Sequence, residues 1–305
     1  MEKVKSGERS SKHHFIPRYY LNGFCRSNGT FDVYDKSQCM FRKYPQTPGT
    51  VFFAKKSNTI KYRGQQCDIV EKVYAGIESG VARFFSLIRM DKGSDQLLTS
   101  EGIYLMKLHI AIQFWRLPQF DVFAEQYVLN RTPAQLDHIF SVYKPQILLP
   151  EKLFERVQSD IGFRKYTRSF ILPLATFNLS NKLPENIKWQ VFDVEEPKNW
   201  ANHLCSDLPI VFDSLENIFD YSGCFVFPLS NDKVLISGPD EIKKESFDPL
   251  FSTKLAILLF CQARKYVAAS NREYLEKIVD FAKSYTSQSQ LFQLKEDVFA
   301  YVKER

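Results

Sequence analysis

The chain has 305 residues and a mass of 35.6 kDa, of which 44% are hydrophobic, 15% aromatic and 25% charged. That balance excludes a mostly disordered chain and supports a large core without disulfide staples. The net charge of +6 is unevenly placed: residues 1–60 carry 11 basic and 4 acidic side chains (+7), while the other 245 carry 30 and 31 (−1).

In chain order, residues 1–12 read as a basic, disordered tail, and residues 13–66 as a mixed, loop-rich zone. Pro17 suits a first helical turn, so Arg18–Phe24 is predicted as a short helix ended near Gly23, and Phe31–Tyr34 as a strand entered through the Asn28-Gly29 turn. Residues 67–170 read as helical. Ile69, Val73, Ile77, Val81, Phe84, Phe85 and Ile88 recur at spacings of three and four. Thr99-Ser100-Glu101 is a capping start for the apolar run Ile103–Trp115, which must stop before Pro118. Further helices are predicted over Phe120–Asn130, Thr132–Tyr143 and Glu151–Asp160.

Residues 187–237 read as β-rich, with strands at Lys188–Val194, Ile210–Phe212, Cys224–Pro228 and Lys233–Ser237. The closing zone, 248–302, reads as helical over Asp248–Ala269, Arg272–Tyr285 and a last segment to Val302. Helices outnumber strands and the two are segregated. The expected class is α+β, mostly helical with a segregated small β-sheet, folded over 13–305 as a single compact unit.

Six cysteines occur without a CxxC pair or a zinc spacing, so free thiols in a reducing compartment are expected. No secretory leader is visible, and the longest strongly apolar run, Leu255–Phe260, is far short of the ~20 residues of a membrane span, so a cytoplasmic protein with no membrane partner is expected. The glycine-loop, GxSxG and HExxH signatures are absent, which leaves P-loop NTPases, ordinary dinucleotide enzymes, α/β-hydrolases and zincins unsupported.

Three places carry residues suited to chemistry. His13 and His14 are adjacent in a chain with five histidines; imidazole titrates near neutrality, and Lys12 and Arg18 beside them suit an anionic substrate. The alternative is a surface or capping pair beside a helix start. His109, Gln113 and Arg116 fall at i, i+4 and i+7 on one face of an apolar helix, where polar groups must find partners. Arg116 suits a phosphate or carboxylate, or else a structural acidic partner. Ser206-Asp207 supplies a hydroxyl and a carboxylate at a strand entrance, which is also ordinary turn chemistry. Glu71 and Glu78 share a helix face and are weaker candidates.

The ordered set of motifs resembles a mainly bacterial domain-of-unknown-function family, number 4238. HHFIPRYYLNGF at 13–24 and VYDK at 33–36 are similar to its start, IAIQFWRLP to its middle motif, HLCSDLPIVF at 203–212 to its Ser-Asp-x-Pro motif, VFPLS at 226–230 to its Phe-Pro-Leu-Ser turn, and LAILLFCQARKYVAAS to its closing helix. Leu208 stands where the family often has Asn. The resemblance implies one fold over almost the whole chain and supplies no reaction.

Two functions fit. In the first, a nuclease or other phosphodiester-cleaving enzyme, His13 or His14 is general acid/base or metal ligand, Lys12 and Arg116 hold the phosphate, Gln113 orients the scissile group, and Asp207 positions an imidazole or binds a metal. A divalent metal ion is the candidate cofactor. In the second, a non-catalytic regulatory module binds a nucleotide or nucleic acid with the same groups. Both require His13, His14, Gln113, Arg116 and Asp207 to converge.

Overall fold

The computed structural model describes residues 12–55, 59–62, 65–67, 69–90, 97, 99–141, 150–193, 203–239 and 249–303. Residues 1–11 of the expected tail lie outside these, as do Tyr143, Val194 and Asp248 at the ends of expected elements. The class is α+β, with helices predominating and small antiparallel sheets. Contacts group into two compact units, Met1–Phe15, Phe53–Gly80 and Leu108–Phe177 in the first, and Ile16–Phe52, Val81–Lys107 and Asn178–Arg305 in the second. The chain passes back and forth between them, so no linker composition marks the division.

In the first unit, Lys12 already lies in a strand: Lys12–His14 pairs antiparallel with Phe53–Lys55, His13 opposite Ala54. The helix Ile69–Met90 brings its first half to this unit, and the helix Ser100–Arg116 its second half. Thr99 caps the latter, its hydroxyl accepting from the Gly102 N–H at 3.0 Å. Pro118 stops it, and Arg168 takes the freed carbonyls of Trp115 and Leu117, each at 2.7 Å. Short helices follow at Asp121–Leu129, Pro133–Ser141, Pro150–Ser159 and Ile161–Tyr166, three of them close to their expected ranges. Val128, Leu136, Leu153 and Val157 form their small core.

The second unit holds the two larger sheets. One runs in the order Lys188–Asp193, Lys233–Gly238, Phe225–Pro228, Val211–Phe212, which is the expected β-rich zone. The other runs Met40–Phe41, Asp32–Asp35, Tyr266–Ala269, Cys205–Ser206 and joins strands from both ends of the sequence. Against them pack the helices Pro249–Gln262, Arg272–Ala282 and Gln288–Lys303. Leu255, Leu259, Val226, Ile236, Val267, Leu275 and Phe299 are fully or almost fully buried there, each such side chain contributing about 1.5–3 kcal/mol of transfer free energy.

Tyr266–Ala269 corrects the expected helix to Ala269: it is a strand. The apolar periodicity continues past Gln262, and neither Gly nor Pro marks a stop. The stop comes from elsewhere in the chain. The Lys36 ammonium donates to the carbonyls of Phe260 and Ala263, each at 2.6 Å, and of Cys261 at 3.2 Å. The Asp207 carboxylate accepts from the N–H groups of Arg264 (2.9 Å), Lys265 (2.6 Å) and Tyr266 (3.3 Å).

A second tertiary junction joins the short helix Arg18–Leu21 to the Phe225–Pro228 strand. The Tyr20 hydroxyl donates to the Pro228 carbonyl at 2.8 Å, and its ring stacks on Phe227. Asn231 N–H donates to the Gly23 carbonyl at 2.9 Å. A Cβ at Gly23 would meet the Leu229 carbonyl oxygen at 3.0 Å and the Ser230 Cβ at 3.1 Å. Gly23→Ala is therefore expected to lower stability by about 1–3 kcal/mol, read as a lower urea midpoint at unchanged slope. An unchanged midpoint would contradict this close approach.

Candidate functional site

The polar groups of the first unit gather where three segments meet. Strand alternation sends the adjacent histidines to opposite faces. His13 is fully buried, whereas His14 is half-buried with its ring 5.7 Å from that of Phe53. The expected imidazole pair is thus divided, and His13 alone faces the cluster. Its Nδ1 lies 3.8 Å from the Glu71 carboxylate, long for a direct hydrogen bond. Lys12 is exposed, with its ammonium 4.9 Å from the Phe53 ring centre.

On the Ile69–Met90 helix, Glu71, Tyr74 and Glu78 fall at i, i+3 and i+7, one face. On the Ser100–Arg116 helix, His109, Gln113 and Arg116 form the matching stripe, and all three are buried. Arg116 is ion-paired with Glu78, and its guanidinium lies over the Tyr74 ring at 4.5 Å. Gln113 donates to the Phe15 carbonyl at 3.0 Å, which ties the strand segment to the helix. Its Oε1, and the Arg116 Nε, are buried without a partner among the described residues.

The electrostatics follow from this packing. Burial opposes the charge of Arg116, but Glu78, Tyr74 and Glu71 outweigh it and hold its pKa above the ordinary value. Burial, helped by the Arg116 charge, pushes His109 down to about 3, so it is neutral at physiological pH. Burial pushes Tyr74 up to about 12, against the pull of Arg116 and the bond its hydroxyl donates to the Ser169 carbonyl.

The other expected site residues belong to the second unit. Arg18 is exposed, beside Gly49. The Ser206 hydroxyl is spent on its own turn, donating to the Leu208 carbonyl at 2.7 Å and accepting from the Leu208 N–H. Asp207 is the three-fold backbone acceptor that ends the Pro249–Gln262 helix; burial raises its pKa, countered by those N–H groups and by Lys36. These contacts give both residues structural work. Basic residues of the N-terminal zone are likewise engaged: Arg26 pairs with Asp32, Arg42 with Asp35 at 2.6 Å, and Lys36 with helix carbonyls. Tyr74 is the cluster member that sequence reading missed, and the three-and-four spacing of Glu71, Tyr74 and Glu78 would have found it.

Among the described residues no group of three or more His, Cys, Asp and Glu side chains could hold a metal ion. The described cysteines are free thiols, and no described helix is long and apolar enough to cross a membrane.

A mostly helical α+β chain with a buried His–Glu and Arg–Glu cluster is what fold and site define. The model of the family described as "Protein of unknown function (DUF4238)" matches residues 12–273, and the chain belongs to that family. No curated protein and no solved structure matches it.

Two predictions follow from these environments. Asp207→Ala leaves three backbone N–H groups short of their acceptor and is expected to cost a few kcal/mol, read as a lower melting temperature; an unchanged one would show that the turn is held without the carboxylate. His203, in the second unit, is also buried, with both ring nitrogens lacking partners among the described residues and a pKa pushed by burial to about 4, against Asp232. A histidine with a depressed folded pKa contributes stability that is fully present above its unfolded pKa and is lost as pH falls towards the folded value. Each of His109 and His203 then costs about 1.4 kcal/mol per pH unit below roughly 6.5. His203→Gln and His109→Gln should each flatten the fall of melting temperature between pH 6.5 and 4.5, and parallel wild-type and variant curves would refute the neutral, buried imidazoles.

Proposed function

We propose that the chain is an enzyme that hydrolyses a phosphodiester, with His13 as general acid/base, Glu71 as the group that orients it, and Arg116 as the phosphate-binding cation. The observation that carries this reading is the fully buried His13 imidazole facing the Glu71 carboxylate, in the cluster that also holds Arg116. A carboxylate facing Nδ1 orients the ring, as a proton-transferring histidine needs. In the reaction, His13 takes a proton from water as the water oxygen attacks phosphorus. Arg116 N–H groups stabilise the charge on the non-bridging oxygens. The bond to the departing oxygen breaks, and the imidazolium returns its proton to that oxygen. Gln113 Oε1 accepts from the attacking water and so orients it towards the scissile group, while its Nε2 donates to the Phe15 carbonyl.

The alternative, a module that binds a nucleotide or nucleic acid without turnover, is favoured by one feature: His109 is held neutral by burial and is suited to hydrogen bonding rather than proton transfer near pH 7.

The purified chain is to be tested on single- and double-stranded DNA, RNA and nucleotides with Mg²⁺, Mn²⁺, Zn²⁺ or chelator. Cleavage is expected, with His13→Ala and Arg116→Ala each reducing it by about 10²–10⁴-fold while the far-ultraviolet spectrum is retained. A wild-type protein that leaves every substrate intact overturns the enzyme reading, and saturable nucleotide binding without cleavage selects the alternative.

A further inference from the structure

We propose that Glu78 is a displaceable latch on Arg116: its carboxylate occupies the place that a ligand's phosphate or carboxylate takes when the exposed helical turn Gly76–Gly80 opens. This rests on Arg116 being the anion-binding group of the reading above.

Arg116 is preset for such a ligand. Its side chain is only 4% exposed, its ring contact with Tyr74 fixes the guanidinium plane, and Glu78 engages one terminal nitrogen while Nε stays without a partner among the described residues. A guanidinium edge binds a planar or tetrahedral anion through two parallel N–H groups, and here one of its donors is unspent. A buried donor left unpaired is unfavourable, so an anion that engages it has an advantage over the Glu78 carboxylate. Glu71 also raises the Arg116 pKa, so the cation keeps a counter-charge while Glu78 is away.

The segment carrying Glu78 is built to yield. Gly76 and Gly80 stand one turn apart in the Ile69–Met90 helix, both exposed, and a Cβ on either would meet nothing within 4 Å. No close packing demands glycine there, although each lowers helix stability relative to alanine. Between them, the Ser79 hydroxyl donates back to the Gly76 carbonyl at 2.9 Å, a local bond that competes with the helical ladder. The Glu78 side chain is 27% exposed, so an arriving anion meets the latch before the arginine.

Inorganic phosphate is the probe, added to the full chain at constant ionic strength against potassium chloride, with the melting temperature read as the binding signal. Glu78→Gln is expected to melt lower without phosphate, because it strips a buried cation of its partner, and to bind phosphate at least tenfold more tightly than wild type. Gly76→Ala/Gly80→Ala is expected to melt higher in chloride and to bind phosphate at least threefold more weakly. Equal phosphate affinity in wild type and Glu78→Gln, or in wild type and the double-alanine variant, overturns the latch. Should Glu78→Gln fail to fold, the double-alanine comparison decides alone. A chain that cleaves nothing yet shows these responses keeps the latch and loses the hydrolase; a nuclease indifferent to both variants keeps the hydrolase and loses the latch.

Discussion

A helix that runs into a strand without glycine or proline leaves a set of backbone groups that something must satisfy, and in this protein Lys36 and Asp207 do so. The Pro249–Gln262 helix presents its last carbonyls to one ammonium, and the following turn presents three N–H groups to one carboxylate. Unmatched, these partly buried groups would be costly. Matched, they let Tyr266–Ala269 leave the helix and enter the sheet between Asp32–Asp35 and Cys205–Ser206. The motifs around Tyr34-Asp35-Lys36, Ser206-Asp207 and Gln262–Tyr266 are therefore one structural device, distributed over three stretches of chain.

The same principle of compensation governs the other cluster, with a different result. Arg116 is buried on the Ser100–Arg116 helix, and the facing helix supplies two carboxylates and a phenol ring. The supply exceeds the demand. Two acids face one permanent cation, and the second acid, Glu71, is turned towards His13. Glu71 thus stands between the buried His13 imidazole and the Arg116 cation.

Much of the architecture was legible because it is local. Thr99 and Pro118 bracket the Ser100–Arg116 helix through capping and through the missing N–H of proline, and both act within a few residues. The Phe225–Pro228 and Lys233–Gly238 strands follow from short apolar runs around a turn. The end of the Pro249–Gln262 helix was illegible because its cause lies at residues 36 and 207. For the site, the His109–Gln113–Arg116 stripe was readable from spacing, since an apolar helix cannot leave those groups in solvent or without partners. The structural partners of the Ser206-Asp207 pair were not legible for the converse reason: a carboxylate suited to catalysis is equally suited to three backbone donors, and only packing shows which donors it meets. Sequence alone left His13 and His14 as alternatives, and the strand's alternation is what buries one and half-exposes the other.

The sheet that joins Asp32–Asp35 to Tyr266–Ala269 has a consequence for synthesis. On the ribosome, Asp32–Asp35 emerges early with only the two-residue strand Met40–Phe41 as a neighbour, and its other edge stays open until more than two hundred further residues have been translated. A nascent chain with an unpaired strand edge held open that long is a natural client for a chaperone, and truncations short of the closing strand should leave the second unit without the sheet that Tyr266–Ala269 completes.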